Sequence, residues 1–232
     1  MKKIKLLNRL RTIAELSGKS NTAADVGTDH AYIPIWLLQS GMAQFVIASD
    51  VNAEPLEHAK RSAKEYGVEK GIEFVLSDGM THLKADSAET VIIAGMGGET
   101  IADIMSRAEW ISDGKHSFVL QPMTKSAELI SRIYKMGLNI ENARLAEDAG
   151  EIYLTLLVKA VNEKTPNPTC MLIPDKLREN KDPLLAKYLD LNIDRIKSAV
   201  AGIKISKSIK CRERLNELES LLIELIEMRG EL

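Results

Sequence analysis

Thr22-Ala23-Ala24-Asp25-Val26-Gly27-Thr28-Asp29-His30-Ala31-Tyr32 changes character at its one glycine. Ahead of Gly27 lies a short strand-type run, Thr22–Val26, and beyond it Tyr32–Gln39 has the pattern of a helix. The same alternation continues outward. Phe45–Ser49, Ile72–Ser77, Thr90–Ala94 and His116–Gln121 are further strand candidates, and Pro55–Tyr66, Thr100–Glu109 and Ala127–Lys135 are the helical segments between them. Gly41, Gly67 and Gly137 stand just past three of these helices, where a left-handed residue ends a helix at least cost. Pro55 sits near a first helical position behind Asn52. Strands separated by helical crossovers predict parallel neighbours in a doubly wound α/β sheet.

The periodicity changes at both ends. Ile4, Leu7, Leu10, Ile13, Ala14 and Leu16 step by about three and four, so residues 3–17 read as an amphipathic helix closed by Gly18. After the fifth unit, Asn142–Ala146 and Ile152–Val158 flank the turn-like Asp148-Ala149-Gly150. A closing hairpin there puts one antiparallel strand into the sheet. Residues 162–182, with Pro166, Pro168 and Pro174, read as a linker ahead of Pro183. Beyond it, Leu189, Ile193, Ile196, Val200 and Ile203, then Cys211, Leu215, Leu218, Leu222 and Leu225, predict two heptad-spaced helices with a break near residues 202–208. The expected division is residues 1–161 as one domain and residues 162–232 as a linker with an antiparallel, coiled-coil-like helical pair.

A chain of 232 residues with 45% hydrophobic and 28% charged residues is ordinary for a protein with a real core. No apolar run reaches the roughly 20 residues of a membrane span, and the start has no signal-peptide pattern. Two cysteines, Cys170 and Cys211, give neither a disulfide framework nor a metal pair, which fits a reducing cytoplasm. Four histidines without H-x-H or H-E-x-x-H spacing predict no metal site, and His58, His82 and His116 read as structural. The methionines read as core filling, and a monomer is the expected state.

The net charge of −2 hides an uneven distribution. Lys2, Lys3, Lys5, Arg9, Arg11 and Lys19 oppose only Glu15 at the start. Arg195, Lys197, Lys204, Lys207, Lys210, Arg212 and Arg214 oppose only Glu213 near the end, and the middle is acidic. These basic runs are either solvated helix faces or phosphate-contacting patches.

Open α/β sheets bind ligands at the carboxyl ends of their strands. Gly27 permits a tight turn and close backbone approach ahead of a helix N-terminus. Asp29 stands where a dinucleotide fingerprint needs its second glycine, and its carboxylate would repel a pyrophosphate. That counts against NAD and FAD, and not against a ligand with a cationic end. Asp50, in Ser49-Asp50-Val51, is placed to accept from ribose hydroxyls, and Asp78, in Ser77-Asp78-Gly79, from an exocyclic amine. Each aspartate alone would pass for a turn or helix cap. Three in successive strand ends favour a ligand. Gly95-Met96-Gly97-Gly98-Glu99 follows the fourth strand as a loop or the rim of a reaction site, and Gln121-Pro122-Met123 follows the fifth.

Ala24–Pro34, with Ala94-Gly95-Met96-Gly97-Gly98 and Leu120-Gln121-Pro122, resembles the bacterial tRNA (adenine-22-N1)-methyltransferase family, TrmK, within the class I S-adenosylmethionine-dependent methyltransferases. The resemblance covers nearly the whole chain. It implies a Rossmann-like sheet of seven strands, mostly parallel with the last strand antiparallel, and a C-terminal helical hairpin. It implies S-adenosylmethionine as cofactor and tRNA as partner. Asp25, Gly27 and His30 would lie beside the methionine end, Asp50 and Val51 at the ribose, Asp78 and Gly79 at the adenine, and Gly95 near the sulfonium. Met96, Gly97 and Gly98 would meet the target base, and Arg9, Lys207, Lys210, Arg212 and Arg214 the RNA. The chain lacks the Asn-Pro-Pro-Tyr motif by which many amino-methylating enzymes hold their base.

The implied chemistry is simple. Adenine N1 has an in-plane lone pair and needs no proton removed, so positioning supplies most of the catalysis. The ring gains positive charge, and Asp29 and Glu99 are the candidate carboxylates to stabilise it, with a helix-cap role the other reading of Glu99. N1 lies on the Watson–Crick edge, so the base must be unpaired or flipped. Competing readings are a methyltransferase on another RNA, protein or small molecule, and a non-catalytic RNA-binding protein of the same fold.

Overall fold

The computed structural model describes residues 2–160, 171–204 and 209–232, without side chains for 204–213. The chain divides into two compact units, Met1–Asn167 and Pro168–Leu232. In the first unit, α1 is Asn8–Leu16, β1 Thr22–Val26, α2 Tyr32–Ser40, β2 Phe45–Asp50, α3 Ala53–Glu65 and β3 Ile72–Leu76. There follow β4 Thr90–Gly97, α4 Gly98–Ser106, β5 Ser117–Thr124, α5 Ser126–Lys135, β6 Leu138–Asp148 and β7 Glu151–Ala160. The second unit holds α6 Asp175–Glu179, α7 Leu185–Lys204 and α8 Ile209–Gly230.

The seven strands lie in the order β3-β2-β1-β4-β5-β7-β6. All neighbours from β3 to β5 are parallel, and β7 runs antiparallel to both β5 and β6. This is the seven-stranded, mostly parallel sheet of the sequence reading, closed by the β6–β7 hairpin. Because helices cover both faces, the central strands read as continuous apolar runs. Val91, Ile92 and Ile93 of β4 and Phe118, Val119 and Leu120 of β5 are fully buried. Left-handed Gly41, Gly67 and Gly137 end α2, α3 and α5, each at φ near +70°.

The first helix differs from the sequence reading. It begins at Asn8, not residue 3, because the preceding segment finds its hydrogen bonds elsewhere. Ile4 N donates to Gln39 Oε1 (3.0 Å), and Gln39 Nε2 donates to the Lys2 carbonyl (2.8 Å). Leu7, at the N-cap, has no side-chain acceptor. Asp148, at the end of β6, takes that part from 139 and 140 residues away. Its carboxylate accepts from Asn8 N (3.2 Å) and from Arg9 N. The cap ties α1 to the hairpin while Ile13 and Ala14 bury themselves against the sheet.

β4 also runs past its expected end at Ala94. Gly95 adopts φ +79° and the ladder shifts, with Met96 then opposite Pro122 and Gly97 opposite Thr124. A glycine in the left-handed region is what such a bulge needs, so the expected loop is a bulged strand end. Within residues 162–182, Asp175–Glu179 forms a short helix rather than linker, and residues 161–170 lie outside the described residues. In the second unit α7 and α8 pack against each other, and Arg229 near the end of α8 pairs with Asp190 near the start of α7 at 2.8 Å, so the two run antiparallel. Among the described residues no helix is long and apolar enough to cross a membrane.

Asp148→Ala removes the acceptor for two first-turn N–H groups of α1. It is expected to cost about 1–2 kcal/mol, read as a lower unfolding midpoint in urea with an unchanged slope. An unchanged midpoint would mean that water caps α1 equally well.

Candidate active site

The strand order reverses between β1 and β4. Such a switch point leaves a crevice that neither crossover fills. Two cavities occupy it and meet at Gly27, which lines both. The larger, about 420 Å³, falls in the ordinary range of small-ligand sites, roughly 300–1,000 Å³. Arg9, Asp25, Thr28, Asp29, His30 and Gly95 are among its walls, with the apolar Leu10, Ile33 and Ala94. The smaller, about 220 Å³, is lined by Asp50, Val51, Asp78, Gly79, Met96 and Arg107, among others.

Local backbone chemistry builds the junction. Gly27 turns the chain at φ +83°, and its N–H and that of Thr28 both donate to the Ser49 carbonyl at 2.8 Å. A Cβ at Gly27 would stand 2.1 Å from Met96 Cε. Met96 thus roofs the turn and forms a wall of the smaller cavity. Ala31 starts α2 at φ +54° with its methyl buried, a left-handed non-glycine residue beside the larger cavity. Such strain concentrates at functional sites.

Asp25 is the electrostatic centre. It is 6% exposed, and burial pushes its carboxyl up to about 6. Thr28 draws it partly back, and the Asp50 charge adds to the rise. Arg9 enters the same cavity from α1. Its Nη1 donates to the buried Gln121 Oε1 at 2.7 Å, and its guanidinium lies 5.4 Å from the Tyr153 ring centroid. Gly95 leaves room beside it: a Cβ there would meet only Arg9 Nη1, at 3.8 Å.

The remaining expected residues separate. Asp50, Val51, Asp78 and Gly79 come together in the smaller cavity, where Asp78 also pairs with Arg107 at 2.7 Å, both exposed. Asp29 stands on the rim, with His30 Nε2 at 3.4 Å from its Oδ2. Glu99 lies in the first turn of α4, pairs with Lys125 and lines neither cavity. Gly98 is buried; a Cβ there would meet the Lys125 carbonyl oxygen at 2.3 Å, so packing alone requires glycine. Gly97 faces Thr124 and Thr100. Arg214 pairs with Glu217 at 2.8 Å on α8, and Lys207 and the side chains of Lys210 and Arg212 lie outside the described residues. The sequence reading gives Arg107 and Tyr153 no role and marks Gln121 only as part of a strand end, because their partners are remote in the chain and leave no local pattern. It also left His58 as structural, whereas the fold stacks it against His30.

Residues 6–156 match the family described as a methyltransferase domain. The tRNA (adenine(22)-N(1))-methyltransferase of Bacillus subtilis is 31% identical over 160 residues, covering 69% of this chain and 67% of that protein. This chain belongs to the TrmK family of methyltransferases. The crystal structure of the B. subtilis M1A22 tRNA methyltransferase TrmK superposes with a TM-score of 0.83 at 27% identity, covering 97% of this chain and all of that one. The M. capricolum TrmK, solved with S-adenosyl-homocysteine, shares the fold at a TM-score of 0.79 and 22% identity over 97% and 98% of the two chains. The TrmK match thus extends over both units of this chain.

The raised pKa of Asp25 makes a stability prediction. A carboxyl that keeps its proton longer in the folded chain than in the unfolded one stabilises the fold in acid. That contribution fades as pH rises from about 4 through 6, so ionised Asp25 opposes folding at neutral pH. Asp25→Asn is expected to stabilise the free protein by up to about 3 kcal/mol at pH 7.5, and by little at pH 4. Urea unfolding at both pH values measures it; an equal effect at the two would refute the shift.

Proposed function

We propose that this chain transfers a methyl group from S-adenosylmethionine to N1 of an adenine in tRNA, adenine 22 by the names its relatives carry. The reading is carried by the opposite charges, Asp25 and Arg9, that line one cavity of a crevice whose other cavity carries two further acidic strand ends.

The side chains fit the cofactor. Its methionine end is a zwitterion, for which the larger cavity offers a carboxylate and a guanidinium. Its nucleoside end carries ribose hydroxyls and a flat ring, for which the smaller cavity offers Asp50, Asp78 and apolar walls from Met96 and Ile104. We therefore assign Arg9 to the methionine carboxylate rather than to RNA phosphate. Asp25 takes the ammonium, with His30 beside it. Asp50 and Val51 take the ribose, Asp78 and Gly79 the adenine, and Gly27 and Gly95 let backbone approach closely at the junction. When bound, the cofactor supplies an electrophilic methyl group on a sulfonium.

What the protein adds is position and field. The acceptor nitrogen needs no base, so the crevice has only to hold its lone pair in line with the methyl group. Asp29 on the rim is the carboxylate placed to favour the cationic ring that forms. Glu99, engaged with Lys125, serves the α4 N-terminus, where a negative charge is favoured. The base reaches the crevice flipped out of its helix, with Met96 and Gly97 near its path. Lys207, Lys210, Arg212 and Arg214 supply phosphate contacts, which makes tRNA binding steeply salt-dependent.

Labelled methyl transfer to unmodified bulk tRNA, followed by nucleoside analysis, tests the reading, and 1-methyladenosine is the expected product. Absence of cofactor binding would sink it; binding without transfer would move the acceptor elsewhere. Arg9→Ala is expected to weaken the cofactor roughly 10- to 100-fold, the worth of about 1.5–3 kcal/mol in a charged hydrogen bond. Unchanged affinity by calorimetry would return Arg9 to the RNA.

A further inference from the structure

Asp29 and His30 lie in the loop between β1 and α2, and His58 lies in α3. The fold brings one ligand atom from each to within 4.8 Å of the others. His30 Nε2 and Asp29 Oδ2 are already 3.4 Å apart. The His30 and His58 rings lie nearly parallel, 7° apart in plane with centroids at 5.4 Å, and Tyr32 also stacks on His30 at 5.1 Å.

We propose that Asp29, His30 and His58 form a binding site for a divalent transition-metal ion of the zinc class at the rim of the larger cavity. Two imidazoles and one carboxylate are a donor set for such ions, while calcium and magnesium take oxygen ligands throughout. Bonds of about 2.0–2.2 Å put the donor atoms of a tetrahedral site roughly 3.4 Å apart. The Asp29–His30 pair already has that spacing. His58 has to close by an ångström or so, which rotation of partly exposed side chains allows once the His30–His58 stack opens. Three protein ligands leave at least one position for water.

The site is coupled to the crevice because Asp29 and His30 line the larger cavity. A dication there cancels the Asp29 charge and adds positive potential where a cationic ligand enters. It therefore lowers cofactor affinity, a consequence that rests on the methyl-donor reading above.

Titration of the 232-residue chain with Co2+ tests the site, because imidazole-bound Co2+ absorbs in the visible. One equivalent is expected to bind and to be displaced by Zn2+. His58→Ala, at a half-buried position of α3 outside both cavities, is expected to weaken it roughly 10- to 100-fold with unchanged circular dichroism. Asp29→Asn is expected to weaken it as well. A His58→Ala protein that titrates like the parent would overturn the site, as would thiolate charge-transfer bands that vanish with Cys170→Ser and Cys211→Ser. Calorimetry with S-adenosyl-homocysteine tests the coupling: Zn2+ is expected to weaken binding in the parent and not in His58→Ala. Undiminished affinity with an intact Co2+ signal would overturn the coupling, and failure to bind with or without metal would instead fail the methyl-donor reading.

Discussion

An ionisable carboxyl held in the core at the point where the sheet reverses is the constraint around which the crevice is built. Asp25 occupies the fourth position of β1, paired in register with Ala48 of β2 and Ile92 of β4. A core carboxyl at that place loses most of its hydration, which is the largest cause of the rise of its pKa to about 6. A structure without use for the charge would be more stable with an apolar residue there. The strain at Ala31 and the open turn at Gly27 lie within six residues of it, so the cost of the site is concentrated in one loop.

The rest of the first unit holds this loop against that cost. β1 is flanked by β2 and β4, and their apolar side chains are buried on both faces. The α1 helix then closes one side of the crevice, and its placement depends on residues from the far end of the unit. Asp148 caps it, Gln121 holds Arg9 by its guanidinium, and Tyr153 lies beside the same group. Thus the β6–β7 hairpin, which touches neither cavity, determines where the cationic wall of the larger one stands.

This division explains what the sequence revealed. The alternation of strand and helix is local, and so the sheet and its antiparallel closing strand were legible from periodicity and from the Asp148-Ala149-Gly150 turn. The acidic strand ends were legible because the carboxyl edge of a parallel sheet is a fixed place in the fold. Arg9 was read as one charge in a basic run, because its role depends on Gln121, 112 residues away. The start of α1 differs for the same reason: its cap is Asp148, while Ile4 keeps helical spacing but donates its N–H to Gln39. The packing demand at Gly98 is not legible in the sequence either, because the Lys125 carbonyl that leaves no room for a side chain belongs to another element. His58 carried no signal, since the ring it stacks on belongs to another crossover.

Charge then explains how one crevice can serve two ligands of opposite character. Asp25, Asp29, Asp50 and Asp78 make the crevice acidic, favourable to a sulfonium and an ammonium and unfavourable to phosphate. A polyanionic RNA is repelled by the same field that favours the cofactor. A flipped base resolves the conflict, because a neutral heterocycle can enter while its phosphates stay outside. Phosphate contacts then have to come from other groups, and along the sequence the basic residues are concentrated in the first nineteen positions and around residues 195–214. Two arginines line the crevice: Arg107 is engaged with Asp78, and the positive charge of Arg9 suits the anionic group of the cofactor. The acidic strand ends thus favour the cofactor at the sheet edge, and under the proposed reading the phosphate contacts fall to the basic ends of the sequence.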